Sequence, residues 1–507
     1  MSVSLKSLNI IKVERTFPYA GKFEARTRAE GLHLWYDIYF DSSVPLTKAD
    51  EKLSSMDGIT YVEYRPKTVP LFTEDYQELL PSEQFSTEQT ATSLPFNDPQ
   101  LSDQWHYYND GSYSGSVAGC DVNIVPVWEK YTTGSPDVIV SIVDGGIDYH
   151  HEDLAGNMWN NPEQSGSYVY GYNFINGGYA ITAGNHGTHV AGTISAVNNN
   201  GTGVCGIAGG NSKKSIPGVK LMSCQIFDNT DRTGDGSRAI KWGADHGAVI
   251  SQNSWGYDGG TYTPASDKAA IDYFNKYAGM DENGNQTGPM EGGIVIFAAG
   301  NDGKSVGYPG EYEGCLAVAA VGSNYVKARF SNYGSWVDIA APGVGILSTV
   351  PNNSYGKMNG TSMACPHVSG VAALLVSYFK GIGFTRESLW NKLTLSATDI
   401  QKYNSGNSEI GGLVNAYTAI ASSSTTAPDP VTYLNAAVKS NIVTVSMVVP
   451  KDKDDKKAYG ISVFFSTSAI SSANCDCKNF SVGDLNVGDT LTGIITGLDF
   501  ESMYYLS

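Results

Sequence analysis

The feature that most constrains the fold is a set of short runs with no polar face. Val138-Ile139-Val140-Ser141-Ile142-Val143 is apolar and β-branched at nearly every position, and Gly293 to Ala299 reads the same way. A strand of this kind has to be buried on both sides, as happens in a parallel sheet with helices packed on its two faces. Val368 to Phe379, rich in Ala, Val and Leu, reads as a buried helix. From Asp98 to about Ser424 such strands alternate with helical stretches. The prediction is an α/β domain whose mostly parallel sheet is flanked by helices.

The flanks differ in pattern. The first 72 residues hold an alternating run at Leu32 to Phe40, a charged, helix-compatible stretch at Thr47 to Met56, and a second strand-like run at Ile59 to Tyr64. Together they predict a small α+β unit. Glu74 to Pro95 is polar, acidic and rich in Ser, Thr and Gln, a composition suited to an exposed, cleavable linker. After Ser423-Ser424-Thr425-Thr426-Ala427-Pro428 strand patterns return without helices, at Asn441 to Val449 and Ala458 to Ser466. These predict a β-sandwich, with Tyr504 to Ser507 as a last strand inside or just short of its completion. At 507 residues the chain is too long for one ordinary domain. The expected division is 1–95, 96–424 and 425–507.

A formal charge of −18 argues against nucleic acid or an anionic membrane as partner, since both are bound through clustered Lys and Arg. No apolar run approaches the ~18 residues a membrane span needs, and Met1-Ser-Val-Ser-Leu-Lys has no signal-peptide core. Either the protein is cytosolic or an export signal lies outside this sequence. Seven cysteines do not make a disulfide framework and leave the compartment undecided.

Four motifs carry chemistry. The Val138–Val143 strand runs into Asp144-Gly145-Gly146-Ile147-Asp148; functional groups collect at such carboxyl ends, although an Asp before glycines also suits a turn. Asn185-His186-Gly187-Thr188-His189 reads as a loop entering a small-residue helix. Two histidines three apart lack the further ligands a zinc site needs, so a single functional His at the helix start is the stronger reading. Asn359-Gly360-Thr361-Ser362-Met363-Ala364 precedes a helix, where Ser362 is either an N-cap or a nucleophile whose N–H also faces an oxyanion. The strand Ile294 to Ala299 leads into Gly300-Asn301, and the Asn301 amide is a candidate second oxyanion donor.

In combination these blocks resemble the subtilisin-like serine protease family, whose triad follows the chain order Asp, His, Ser. The resemblance covers about Asp98 to Ser424. It implies Asp144, His186 and Ser362 as the triad and Asn301 as oxyanion donor, with Gly145 departing from the Ser or Thr usual after the Asp. Losing such a donor costs about 3 kcal/mol of transition-state stabilisation, a figure measured on a subtilisin itself.

Further roles rest on the same resemblance. Ser254, Trp255 and Gly256 are similar to the family's extended segment that pairs with substrate backbone, opposed by Asp235 and Gly236. Ala298, Gly300 and Gly307 line the first specificity pocket, with Asp302 at its rim. Val197 to Val204 resembles a calcium loop; it implies side-chain ligands from Asp98, Asp153 and Asn200 and carbonyls from Val197, Thr202 and Val204, against a plain Asn/Gly turn as the alternative. The N-terminal unit resembles a propeptide that inhibits its own enzyme, with a mature start near Phe96. The C-terminal region resembles a fibronectin type III module. The expectation is a self-processing, extracytoplasmic endopeptidase acting on protein or peptide substrates. Its competitors are a binding protein on an inactive protease scaffold and a peptidase for a few defined substrates.

Overall fold

The computed structural model describes residues 8–71, 77–79, 94–166, 169–228, 230, 232–404, 409–421, 431, 433–439, 442–451, 460–468, 476–481, 485–495, 498 and 503–506. The chain divides into two units. The first holds Met1–Lys380 and Thr385–Tyr417, and the second Gly381–Phe384 and Thr418–Ser507.

At the centre of the first unit lies a sheet with eight strands among the described residues. Their order is Gly412–Leu413, Ile339–Pro342, Cys315–Val321, Ile294–Ala298, Ile250–Asn253, Ile139–Gly145, Lys220–Phe227 and Gly171–Asn173. Every neighbouring pair in it is parallel. The apolar runs therefore become central strands, and from Val140 to Gly145 every residue of the Ile139–Gly145 strand is buried. Helices Asn185–Ser195, Gly236–Asp245, Ala265–Tyr277 and Thr361–Phe379 flank the sheet. The last of these is long and apolar enough to cross a membrane, but 89% of its apolar window is buried within the protein. Its hydrophobicity serves the core.

The N-terminal part forms a two-stranded antiparallel sheet, Ile10–Arg15 with Tyr36–Phe40, and a helix Leu46–Ser54. Two details depart from the sequence pattern. Leu32–Leu34 is a 3-10 turn, so the expected strand begins only at Tyr36. Ile59 to Tyr64 forms no strand, because side chains anchor it: Ile59 and Val62 pack on the local core, Tyr64 donates to Leu46 O, and Glu63 accepts the N–H groups of Ala265 and Ser266. Within the expected linker, Gln77–Leu79 is a strand; the rest of that stretch up to Ala91-Thr92-Ser93 lies outside the described residues.

The second unit contains two three-stranded antiparallel arrangements. One is Leu434–Lys439, Ile442–Val448 and Thr490–Ile495; the other is Asp476–Ser481, Gly460–Ser466 and Tyr505–Leu506. Val443, Val445, Met447, Ile461, Val463 and Ile495 share one core. The two runs read at Asn441 to Val449 and Ala458 to Ser466 fall on the strands Ile442–Val448 and Gly460–Ser466, each with one inward face, while Asn441, Ala458 and Tyr459 lie outside the described residues.

Candidate active site

The sheet brings the separated motifs to one end. Asp144 is the penultimate residue of its strand and fully buried. Its Oδ1 accepts the Gly145 N–H at 2.6 Å and contacts His186 Nδ1 at 2.8 Å. His186 is the second residue of the Asn185–Ser195 helix, so the carboxylate meets the ring from a neighbouring strand end. Gly187 is required for this approach, since a Cβ there would stand 2.0 Å from Gly145 O. The other histidine of the motif, His189, turns inward and contacts Ile346 O at 2.8 Å, and its burial pushes its pKa down to about 3. Among the described residues no cluster of three or more metal-binding side chains occurs.

Ser362 is the second residue of the Thr361–Phe379 helix, where an N–H has no intrahelical acceptor. Its hydroxyl donates to Ser254 O at 3.1 Å, and Ser254 Oγ donates in return to Ser362 O at 2.9 Å. Asn301 is held by its oxygen: Oδ1 accepts the Thr361 N–H at 2.9 Å and the Thr361 hydroxyl at 2.8 Å. That fixes the amide's orientation and leaves Asn301 Nδ2 buried with no hydrogen-bond partner among the described residues. A buried donor without an acceptor costs about 1–3 kcal/mol, which an incoming oxyanion would recover. Thr361 also accepts the Gly300 N–H at 3.1 Å. Sequence reasoning did not single Thr361 out, because a threonine at a helix start reads as an ordinary helix-start residue.

The segments expected to wall the specificity pocket leave no room for side chains at two glycines. Gly300 has φ of +109° and a Cβ there would lie 2.2 Å from Asn332 Nδ2; at Gly307 it would lie 2.1 Å from Ala299 O. Asn332 ties the walls together, donating to Ala299 O and Val306 O and accepting from the N–H groups of Asp302 and Lys304. It too went unread, since nothing local marks an asparagine as a brace. Asp302 is exposed, with Lys304 at 3.8 Å. Ala298 closes the neighbouring strand.

The cleft is occupied by the chain's own N-terminal segment. Thr68–Pro70 pairs antiparallel with Trp255–Tyr257, in the register Trp255 with Pro70, Gly256 with Val69 and Tyr257 with Thr68. The Leu71 N–H donates to Ser254 O at 3.1 Å. Ser254 O therefore receives both the Leu71 N–H and the Ser362 hydroxyl. A Cβ on Gly256 would stand 3.3 Å from the Leu71 side chain. The Trp255 side chain is buried, so that residue offers backbone rather than a ring. Asp235 caps the Gly236–Asp245 helix, and a Cβ on Gly236 would strike the Trp255 ring at 2.7 Å. Beyond this point Gln77–Leu79 pairs antiparallel with Ser354–Met358. A 330 Å³ cavity remains between Lys67–Pro70 and the Asp144–His186 pair.

The loop Val197–Val204 gathers two buried carboxylates. Asp98 accepts the N–H groups of Asn199 and Asn200, and Asp153 accepts those of Val204 and the Asn200 amide. The carbonyls of Asn198 and Gly203 are taken up by Ser212 N–H and Gln100 N–H. Burial, together with the neighbouring Asp98 charge, pushes Asp153 up to about 8. Two desolvated carboxylates facing only neutral donors fit an oxygen-binding cation.

A parallel sheet with Asp, His and Ser at strand and helix ends, an unfilled amide donor and a bound peptide strand defines a hydrolase of the serine-peptidase class. Residues 135–417 match the subtilase family and residues 1–111 match the N-terminal of subtilase family. A thermophilic serine proteinase of Bacillus sp. (strain AK1) is 37% identical over 277 residues, 53% of this chain and 59% of that protein. Thermitase of Thermoactinomyces vulgaris is 35% identical over 289 residues, 55% of this chain and 88% of that one. Among solved structures, a protease from Pseudoalteromonas arctica PAMC 21717 aligns with a TM-score of 0.49 at 27% identity, covering 65% of this chain and 99% of that one. The chain belongs to the subtilase family of subtilisin-like serine proteases.

Proposed function

We propose that the chain is a serine endopeptidase made as a self-processing zymogen, and that it cuts itself on the carboxyl side of Leu71. The observation that carries this is the Ser254 carbonyl shared by the Leu71 N–H and the Ser362 hydroxyl. A residue held there is the one whose carbonyl is attacked, so the expected cut falls well before Phe96, ahead of the expected mature start.

In this reading the Ser362 hydroxyl turns from Ser254 O toward His186, gives up its proton, and attacks the Leu71 carbonyl. His186 then protonates the leaving amine, and Asp144 stays ionised beside Nδ1. Asn301 Nδ2 and the Ser362 N–H hold the oxyanion. Water repeats the cycle on the acyl-enzyme. Ala298, Gly300 and Gly307 shape the pocket for the residue that gives the carbonyl. Until it leaves, the N-terminal part acts as inhibitor by filling the cleft. Asp98, Asp153 and Asn200, with the carbonyls of Val197, Thr202 and Val204, would hold calcium, which when bound neutralises the paired carboxylates and braces the loop. A protease of this kind belongs outside the cytoplasm, and the C-terminal strands are read as a fibronectin type III-like module.

Incubating the purified chain beside Ser362→Ala, with intact-mass analysis, tests the reading. The expected product ends at Leu71 and is absent from the variant, and only the parent labels with a fluorophosphonate. A cut in both chains, or a cut at another bond, overturns it.

A further inference from the structure

Beyond the paired strand, the N-terminal segment is held by side chains as well as by backbone pairing. Asp258 N–H donates to Lys67 O at 2.9 Å and the Tyr262 hydroxyl to Tyr64 O at 2.7 Å, so the segment stays on the cleft wall back to Tyr64. Within it, Arg65 reaches across to Asp235, with Nη1 2.7 Å from Oδ2. Its other nitrogen contacts Asp37, in the N-terminal part, at 3.1 Å.

The floor of this site belongs wholly to the peptidase part. Asp235 and Asp267 are 7% and 5% exposed. Asp235 Oδ1 is used by the Ser237 hydroxyl and the Arg238 N–H, which leaves Oδ2 for the arginine. Asp267 accepts from the Tyr257 hydroxyl, on the very strand that pairs with the segment. Burial and the nearby Asp235 charge push the Asp267 carboxyl up to about 7. The other nearby cation, Arg238, donates to the carbonyls of Thr16 and Arg15 and lies 3.7 Å from Asp37. Once the N-terminal part leaves, a buried acidic pair faces the cleft without Arg65, and an unpaired buried charge is costly.

We propose that Asp235 and Asp267 form a substrate subsite for a guanidinium or ammonium side chain, six residues before the residue that donates the cleaved carbonyl. Arg65 is its first occupant. The inference rests on the reading that Leu71 supplies that carbonyl. The pocket selects protein or long peptide substrates with a basic residue at that distance, and is blind to short peptides.

The test uses peptides with the sequence of residues 62–75, carrying either arginine or citrulline at position 65, and the full-length protein after self-processing. Both peptides are expected to be cut after the leucine, with kcat/KM about tenfold higher for arginine, mostly through KM. In Asp267→Asn the ratio is expected to fall to about twofold or less. Asp235→Asn, whose amide keeps an oxygen for the helix cap, gives a second reading if the first variant folds poorly. General damage lowers both peptides alike and leaves the ratio, so a ratio unchanged in both variants overturns the proposal. Equal rates for the two peptides in the parent overturn the subsite while leaving cleavage after leucine standing. Cleavage at another bond overturns the register and the subsite with it.

Discussion

Thr361→Val is the most informative single substitution, because it leaves every proposed reacting group in place. The hydroxyl lost is fully buried; it donates to Asn301 Oδ1 and accepts the Gly300 N–H. Valine fills the same volume, so no cavity term arises, but the Gly300 N–H is stranded, at about 1–3 kcal/mol of stability. The Asn301 amide keeps one tether, the Thr361 N–H at 2.9 Å, which still forbids a flip of the amide. The proposed oxyanion donor is therefore loosened rather than removed. Against a cost of about 3 kcal/mol for removing such a donor, a figure from subtilisin, roughly half is expected. That corresponds to about a tenfold fall in kcat. KM should hold, since the Ser254–Gly256 strand is untouched, and Thr361→Ser should restore the rate. Steady-state kinetics on one peptide and urea unfolding of the Ser362→Ala background measure the two effects separately. An unchanged kcat with the expected loss of stability would refute the idea that Thr361 positions Asn301, as would a rise in KM at constant kcat.

Two further outcomes are expected. His106, His189 and His367 are fully buried, His367 Nε2 lies 2.8 Å from His106 Nδ1, and burial pushes the pKa of both His189 and His367 down to about 3. Their folded values lie below the unfolded one, so the neutral form is favoured and the stability they confer is complete above pH ~6.5. It falls as the pH drops from there toward 3, by up to about 1.4 kcal/mol per unit for each group; denaturant midpoints at pH 7 and pH 5 check this, and equal midpoints count against it. Calcium at about a hundred times its dissociation constant should add about 2.7 kcal/mol, seen as a rise in melting temperature that a chelator reverses; Asp153→Asn should abolish the increment, and a chelator without effect on the parent would exclude the site.

Much of the candidate site was legible because its motifs are local. Asp144, His186, Ser362 and Asn301 each sit beside glycines or small residues at the end of an apolar strand or the start of a helix, and such boundaries are written in short sequence windows. The residues that hold them were not legible. Thr361 and Asn332 act through partners about 30 to 60 positions away, and Arg65 meets Asp235 across far more of the chain. The same holds for Ile59 to Tyr64, whose alternation is that of a strand but whose anchors, Leu46, Ala265 and Ser266, belong to other elements.

The sequence by itself determined the class of fold and supplied the proposed reacting groups. An unbroken apolar run admits few solutions other than a covered parallel strand, and the order of the motifs along the chain is a one-dimensional fact. What only the tertiary structure decided is where the chain meets itself. The polar stretch after Glu74 looked like the place to cut, yet Leu71 is the residue whose N–H shares an oxygen with Ser362. Composition records how exposed a segment is. Which peptide carbonyl reaches the nucleophile depends on strand register, and register is set by hydrogen bonds between Trp255–Tyr257 and Thr68–Pro70, segments that no local pattern pairs.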